Sequence, residues 1–184
     1  MARFANVAFT KEVKVLQERY GSRASYAKRE NPHADPSLTE EELEFVRERD
    51  SFFLATVNSD GWPYIQHRGG PRGFLHVLDP RTLAFADYAG NKQYVSTGNL
   101  QTDDRVALML IDYAYQNRLK ILGRARIAEP EDDPALLELL RPPATYAARI
   151  ERLIVIDVAA WDWNCQQHIT PRYTLEEAQA LFNP

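Results

Sequence analysis

The chain has 184 residues, of which 22 are Lys or Arg and 26 are Asp or Glu, giving a formal net charge of −4. With 45% apolar and 26% charged residues it has the make-up of an ordinary folded domain, which argues against a disordered or fibrous chain. Cys165 is the lone cysteine, which excludes a disulfide scaffold, and a mildly acidic chain is a poor generic partner for nucleic acid or an anionic membrane.

The N-terminal residues carry no apolar stretch suited to a signal peptide, and no later run approaches the ~20 apolar residues of a membrane span, so the cytoplasm is the expected location. Residues 7–20 space Val7, Val13, Val15, Leu16 and Tyr20 like a loose helix that Gly21 would stop. A polar loop with Pro32 and Pro36 follows. Ser37 or Thr39 can then cap a helix whose glutamates at 40–42 suit its positive N-terminal end.

From residue 51 the period changes from helical to alternating. Ser51–Val57 and Tyr64–Arg68 flank the turn Asn58-Ser59-Asp60-Gly61 and read as a hairpin. Phe74–Leu78 and Thr82–Asp87 read as a second, and residues 91–101 as a short helix with Asn91 near its start. Val106–Ile111 is apolar on both faces, as a central strand would be. In residues 118–127, Arg118, Lys120, Arg124 and Arg126 share one face, and Leu119, Ile121, Ala125 and Ile127 the other. A helix over 134–140, a buried strand over 153–158 and a final helix over 174–182 complete the chain. Six or seven short strands joined largely by hairpins favour an antiparallel barrel with peripheral helices over a doubly wound sheet.

Three constellations can carry chemistry. Gly90-Asn91-Lys92-Gln93 would put free backbone N–H groups and an ammonium at a helix start, a sensible phosphate cradle. Gln66 and Arg68 share one strand face and can hydrogen-bond a planar polar heterocycle. Arg118 and Lys120 begin the basic strand and are better placed for a ligand at a barrel rim than Arg124 and Arg126, which read as a solvated face with acidic partners. Metal chemistry is not expected: His33, His67, His76 and His168 show no ligand spacing. Cys165 near His168 is more simply a structural cysteine than a nucleophile, and Gly69-Gly70-Pro71-Arg72-Gly73 lacks the end of a P-loop.

Taken in order, the segments Gly61–Pro71, Leu83–Tyr94, Arg105–Leu108 and Arg118–Ala125 resemble the pyridoxamine 5′-phosphate oxidase-like, FMN-binding split-barrel family, nearer its oxidase-related branch than the true oxidase. Trp163–Arg172 resembles that branch's C-terminal segment, and the likeness spans about residues 40–170. It implies a mainly β fold, a six-stranded antiparallel split β-barrel with peripheral helices, which dimerises with two FMN sites at the subunit interface. On that pattern residues 1–50 would form a helical extension packed on the barrel and 51–184 the split-barrel domain with its C-terminal helix.

The resemblance further implies that Gln66, His67 and Arg68 meet the flavin and that Asn91, Lys92 and Gln93 hold its phosphate. Asp87 and Tyr88 occupy the strand end where the true oxidase has a hydroxyl-bearing pair, and Asn164, Gln167 and His168 would come from the second subunit. Where the true oxidase has Ser-Arg-Lys at the phosphate this chain has Asn91-Lys92-Gln93, one cation fewer, which Arg118 and Lys120 would restore. The oxidase's Arg-x-His substrate clamp is not recognisable, so vitamin B6 phosphate oxidation is not expected. The implied function is hydride exchange between FMN and a small substrate or nicotinamide donor, with no catalytic residue assigned. The alternatives are a non-catalytic flavin-storing or sensing protein, or a split barrel that holds F420 or heme.

Overall fold

Alternation of apolar and polar side chains from residue 51 decides the architecture. In β1 (Ser51–Val57) Phe52, Leu54 and Thr56 are buried and the residues between them are half-exposed, the signature of a strand with one face on a core. The chain then reverses over residues 58–62, where Asn58 Oδ1 accepts from the N–H groups of Asp60 (3.0 Å) and Trp62 (2.8 Å). Gly61 takes the left-handed conformation this turn needs, at φ 84°. β2 (Pro63–Gly69) returns antiparallel in a register that sets Leu54 opposite Gln66 and Phe52 opposite Arg68. Residues directly opposite share a face, so Gln66 and Arg68 point inward and Ile65 and His67 outward.

The computed structural model describes residues 2–182. β3 (His76–Asp79), β4 (Thr82–Tyr88), β5 (Arg105–Asp112), β6 (Asn117–Ala128) and β7 (Ile150–Trp163) join the first hairpin in one antiparallel sheet, ordered β2-β1-β5-β6-β7-β4-β3. The fold is mainly β with peripheral helices, with seven strands instead of six because the short β3 pairs with β4 as an extra edge. The sheet curls until Arg68 on the edge strand β2 forms an ion pair with Asp87 on β4, so the curl closes at a polar seam between these two strands.

Inside the curl, Phe52, Leu54, Phe85, Leu108, Leu119, Ile121, Ile154 and Ile156 form the main core. Phe52 stacks on Phe74 at 5.5 Å and meets Phe85 edge-on at 5.3 Å. Each such side chain contributes roughly 1.5–3 kcal/mol on burial. The outer face divides in two. α6 (Pro134–Leu139), capped by Asp133 Oδ1 accepting from Leu136 N–H at 3.0 Å, lays Leu136 and the following Leu140 over Ala84, Ala86, Leu153 and Val155. On the β2-β1-β5-β6 half, Phe53, Ala55, Val57, Ala107, Met109 and Leu122 are only half-buried and Ile65 is 60% exposed.

The N-terminal stretch departs from expectation. Instead of one helix over 7–20 there are α1 (Ala2–Ala8) and α2 (Lys11–Arg19), because Thr10 is extended and its hydroxyl oxygen accepts from Val13 N–H at 3.4 Å. The expected polar loop contains α3 (Arg23–Ala27), held by the ion pairs of Glu30 with Lys14 and Arg23 and by Tyr26 edge-on to Phe9 at 5.4 Å. α4 (Glu40–Arg47) starts at Thr39, whose N–H and hydroxyl both donate to Glu42 Oε2 at 2.9 and 2.6 Å. α7 (Leu175–Phe182) closes the chain. No helix among the described residues is long and apolar enough to cross a membrane.

Candidate functional site

The seam between β2 and β4 collects the charges. Asp87, 5% exposed, accepts from Arg68 Nη1 through Oδ1 and from Arg152 Nη1 through Oδ2, the latter at 2.9 Å. Arg152 stands directly opposite Asp87 in the β4–β7 register, so strand pairing itself brings the two together. Both guanidinium side chains are nearly buried, at 13% and 14% exposure. Arg152 also donates to Glu151 Oε2 at 3.2 Å and lies 4.8 Å over the Tyr94 ring. Arg68 Nε is buried and donates to nothing among the described residues.

Above this cluster the chain leaves β4 through residues 89–94. Lys92 and Tyr94 take the left-handed conformation, at φ 61° and 53°, which non-glycine residues adopt in only a few per cent of cases. Asn91 Oδ1 accepts from Gln93 N–H at 3.1 Å and shapes the turn. α5 (Val95–Leu100) therefore begins four residues after Asn91, and the expectation of a helix opening at 91 is corrected. The physical reason is that two left-handed residues interrupt any right-handed turn before Val95. Its first-turn N–H groups still lack intrahelical partners, and Ser96 and Thr97 line the cleft with Lys92.

α5 is anchored to the first hairpin. Ser96 Oγ donates to Gln66 Oε1 at 3.0 Å, and Asn99 Nδ2 donates to Thr56 Oγ1 at 2.8 Å. With its oxygen engaged, the Gln66 carboxamide presents its N–H2 as a donor. Burial, and then the neighbouring Tyr146, hold the Tyr88 phenol above its usual range, so it stays protonated and can donate. Three cations (Arg68, Lys92 and Arg152) face two carboxylates (Asp87 and Glu151), which leaves the cleft cationic by one charge.

Of the residues singled out from sequence, Gln66, Arg68, Asp87, Tyr88, Asn91, Lys92 and Gln93 line this one cleft. His67 does not. It is exposed and edge-on to Phe53 at 5.6 Å, and borders an adjoining cleft of about 160 Å3 that shares Gln66, Arg68, Asp87 and Tyr88 with the first. Arg118 and Lys120 sit on the outer face of β6, the former donating to Cys165 O at 3.1 Å and the latter 3.7 Å from Asp162. Asn164 lies beside them, its N–H donating to Arg118 O at 3.0 Å, and Gln167 and His168 are exposed on the following turn. Within one chain these five residues belong to a different region. Sequence reading missed Arg152, Glu151, Ser96 and Thr97, although Arg152 keeps the inward parity of Ile154 and Ile156 and so marks a charge inside an apolar face. Among the described residues no group of three or more His, Cys, Asp or Glu is arranged to hold a metal ion.

Comparison with known proteins bears on the whole barrel. The pyridoxamine 5′-phosphate oxidase family profile matches residues 38–162. No curated protein sequence gives a significant match. Among solved structures, a putative pyridoxamine 5′-phosphate oxidase from Lactobacillus delbrueckii superposes with TM-score 0.53 at 22% identity, covering 71% of this chain and 97% of that one. A protein related to general stress protein 26, from Clostridium acetobutylicum, gives 0.51 at 14% identity, covering 74% and 94%. HupZ from Group A Streptococcus gives 0.51 at 13% identity, covering 74% and 100%. At these identities the structures share the split-barrel fold, and the family profile spans from the residue before α4's cap to the end of β7. The chain belongs to the pyridoxamine 5′-phosphate oxidase family.

Proposed function

We propose that this protein binds FMN in the cleft between β2 and the β4–α5 turn and acts as an oxidoreductase on a small substrate or nicotinamide donor. One observation carries the reading: a single carboxylate, Asp87, is shared by two nearly buried guanidiniums, and Arg68 keeps a buried Nε–H with no acceptor among the described residues. A buried donor without a partner costs about 1–3 kcal/mol, so the cleft suits an acceptor that the described residues do not supply. The residues fit the cofactor. Lys92, Arg152 and the first-turn N–H groups of α5 would hold the phosphate, while Gln66 and Arg68 would donate to the ring's carbonyls.

When bound, FMN supplies hydride exchange at its ring. The chain's own part is positioning and electrostatics. Ser96 fixes the Gln66 amide, Asp87 holds both guanidiniums in place, and the Arg68 cation stabilises negative charge that develops beside it. No side chain in the cleft is arranged as a general base.

The cleft of one chain encloses about 130 Å3, below the roughly 300–1,000 Å3 of sites that enclose ligands of cofactor size. A second subunit would complete it, docking on the half-buried outer face of β1, β2, β5 and β6, with the exposed Gln167 and His168 as its contributed residues, since Asn164 is turned to its own chain's N-terminal helices. Ile65, at 60% exposure, lies on that face. Ile65→Lys is expected to shift the protein from dimer to monomer in sedimentation velocity, and a monomeric parent at micromolar concentration would contradict the shared site.

The cofactor is tested by the absorbance spectrum of the purified protein and by FMN titration. A flavin spectrum and a micromolar Kd are expected, with Lys92→Ala weakening FMN several-fold and Arg126→Ala, on the outer face of β6, leaving it unchanged. Equal effects of the two substitutions would move the phosphate elsewhere. A Soret band would mean heme, and a deazaflavin spectrum F420. Bound flavin that NADH and NADPH fail to reduce under anaerobic conditions would favour storage or sensing over catalysis.

A further inference from the structure

At the opposite end of β7 from Arg152, the N-terminal helices α1, α2 and α3 and the ends of β6 and β7 border an open pocket of about 690 Å3. That is within the roughly 300–1,000 Å3 range of small-molecule sites. Four aromatic side chains line it: Phe4, Phe9, Tyr26 and Trp163. Such rings favour a flat, conjugated ligand that stacks on or abuts their faces.

Arg29 and Lys120 against Asp162 leave the lining cationic by one charge, and of its polar groups Lys120 and Asn164 give the cavity direction. Lys120 Nζ is part-buried at 33% exposure, makes no hydrogen bond among the described residues, and lies 3.7 Å from Asp162 and 4.3 Å from the Phe4 ring centroid. At 3.7 Å the pairing is well beyond the 2.7–2.9 Å of a charge-assisted hydrogen bond, so the ammonium keeps its donors for another acceptor. Asn164 lines the same cavity, and its Oδ1 is buried and accepts nothing from the described residues. One wall is also held rigidly from behind. Trp163 Nε1–H donates to buried Glu42 Oε1 at 2.6 Å, and its ring meets Phe45 edge-on at 4.8 Å. A side chain locked by a carboxylate and a ring on its far side presents a preorganised surface.

We infer that this cavity is a second small-molecule site, separate from the seam cleft, and that it takes a planar aromatic monoanion carrying a hydroxyl or N–H donor. The anion pairs with Lys120, the donor satisfies Asn164 Oδ1, and the ring lies among Phe4, Phe9, Tyr26 and Trp163. α1 and α3 form its outer wall, which gives the N-terminal helices a role in ligand capture. The inference stands on this cavity alone and does not depend on which cofactor the seam cleft holds.

Isothermal titration with 6-hydroxy-2-naphthoate, 6-methoxy-2-naphthoate and uncharged 2-naphthol tests it on the full chain, with and without added FMN. The hydroxynaphthoate is expected to bind one site per chain, at least tenfold more tightly than 2-naphthol and several-fold more tightly than the methoxy compound. Lys120→Met should erase the preference for the carboxylate, and Asn164→Ala the preference for hydroxyl over methoxy. Arg152→Ala, in the seam cleft, should leave naphthoate binding unchanged. Should Lys120→Met fail to fold, Phe9→Ala replaces it and should weaken all three compounds together. Absence of binding at millimolar concentration overturns the inference, as do preferences that persist in Lys120→Met and Asn164→Ala. Loss of naphthoate binding in Arg152→Ala, or its displacement by FMN, also overturns it by placing the compound in the seam cleft.

Discussion

Asp87→Ala is expected to destabilise the protein by about 3–5 kcal/mol, the cost of leaving buried charge without its partner. Among the described residues Asp87 is the one carboxylate that both Arg68 and Arg152 reach through their Nη1 atoms, and Glu151 bonds only the second of them. Its removal sets two guanidiniums of like charge side by side, each with 14% exposure or less. Because Arg68 is on the edge strand β2 and Asp87 on β4, the substitution also unties β2 from the far side of the curled sheet. Urea denaturation should show a lower midpoint with little change in slope, since the surface exposed on unfolding is nearly the same. Inorganic phosphate should then raise the midpoint of Asp87→Ala more than that of the parent, because an anion that binds the folded state alone stabilises it by mass action. A midpoint within about 1 kcal/mol of the parent would mean that the seam is held by its apolar contacts, and that the ion pairs are solvated in solution.

The same cluster shows what could and could not be read before folding. β6 was legible residue by residue, because two-residue alternation is unambiguous when four cations fall on one parity and aliphatic residues on the other. Arg124 has the acidic partner expected of a solvated face, Asp104 at 2.5 Å. Gln66 and Arg68 were likewise placed on one face by parity, and the register with Leu54 and Phe52 then makes that face the inner one. Arg152 is not legible in the sequence because the apolar run of the buried strand starts at Leu153, so a charged residue at its edge looks like the end of the element. Only long-range pairing with β4 places it beside Asp87, 65 residues away in sequence. The turn at 91–94 is not legible for a different reason. Asn91 is a good helix opener by type, but left-handed Lys92 and Tyr94 are imposed by the path from β4 to α5 and leave no mark on residue type. At the N-terminus, helical spacing was visible while the break at Phe9–Thr10 was not, because the contact of Phe9 with Tyr26 is tertiary.

Arg152→Ala should weaken FMN binding by one to two orders of magnitude, more than Lys92→Ala, if the seam cleft is the phosphate site. A charge-assisted hydrogen bond in a desolvated setting contributes about 1.5–3 kcal/mol, against less than about 1 kcal/mol for a solvated ion pair, and tenfold in affinity corresponds to about 1.4 kcal/mol. Arg152 is nearly buried and braced by Asp87, Glu151 and Tyr94, whereas Lys92 is exposed on the turn. Preorganisation separates the two further, since the braced guanidinium loses little rotamer freedom on binding while a free lysine loses much. Arg152→Lys should not restore affinity, because an ammonium at that position cannot contact Asp87 and a phosphate with the same fixed fork. Combining Arg152→Ala with Asp87→Ala gives the sharpest reading. The two residues share a hydrogen bond, so their effects on stability should be strongly non-additive, with the double variant more stable than Asp87→Ala alone because one orphaned guanidinium has gone. FMN affinity should instead stay at the level of Arg152→Ala. A double variant that regains FMN binding would show that Asp87 acts by repelling the phosphate, not by holding the cation that binds it.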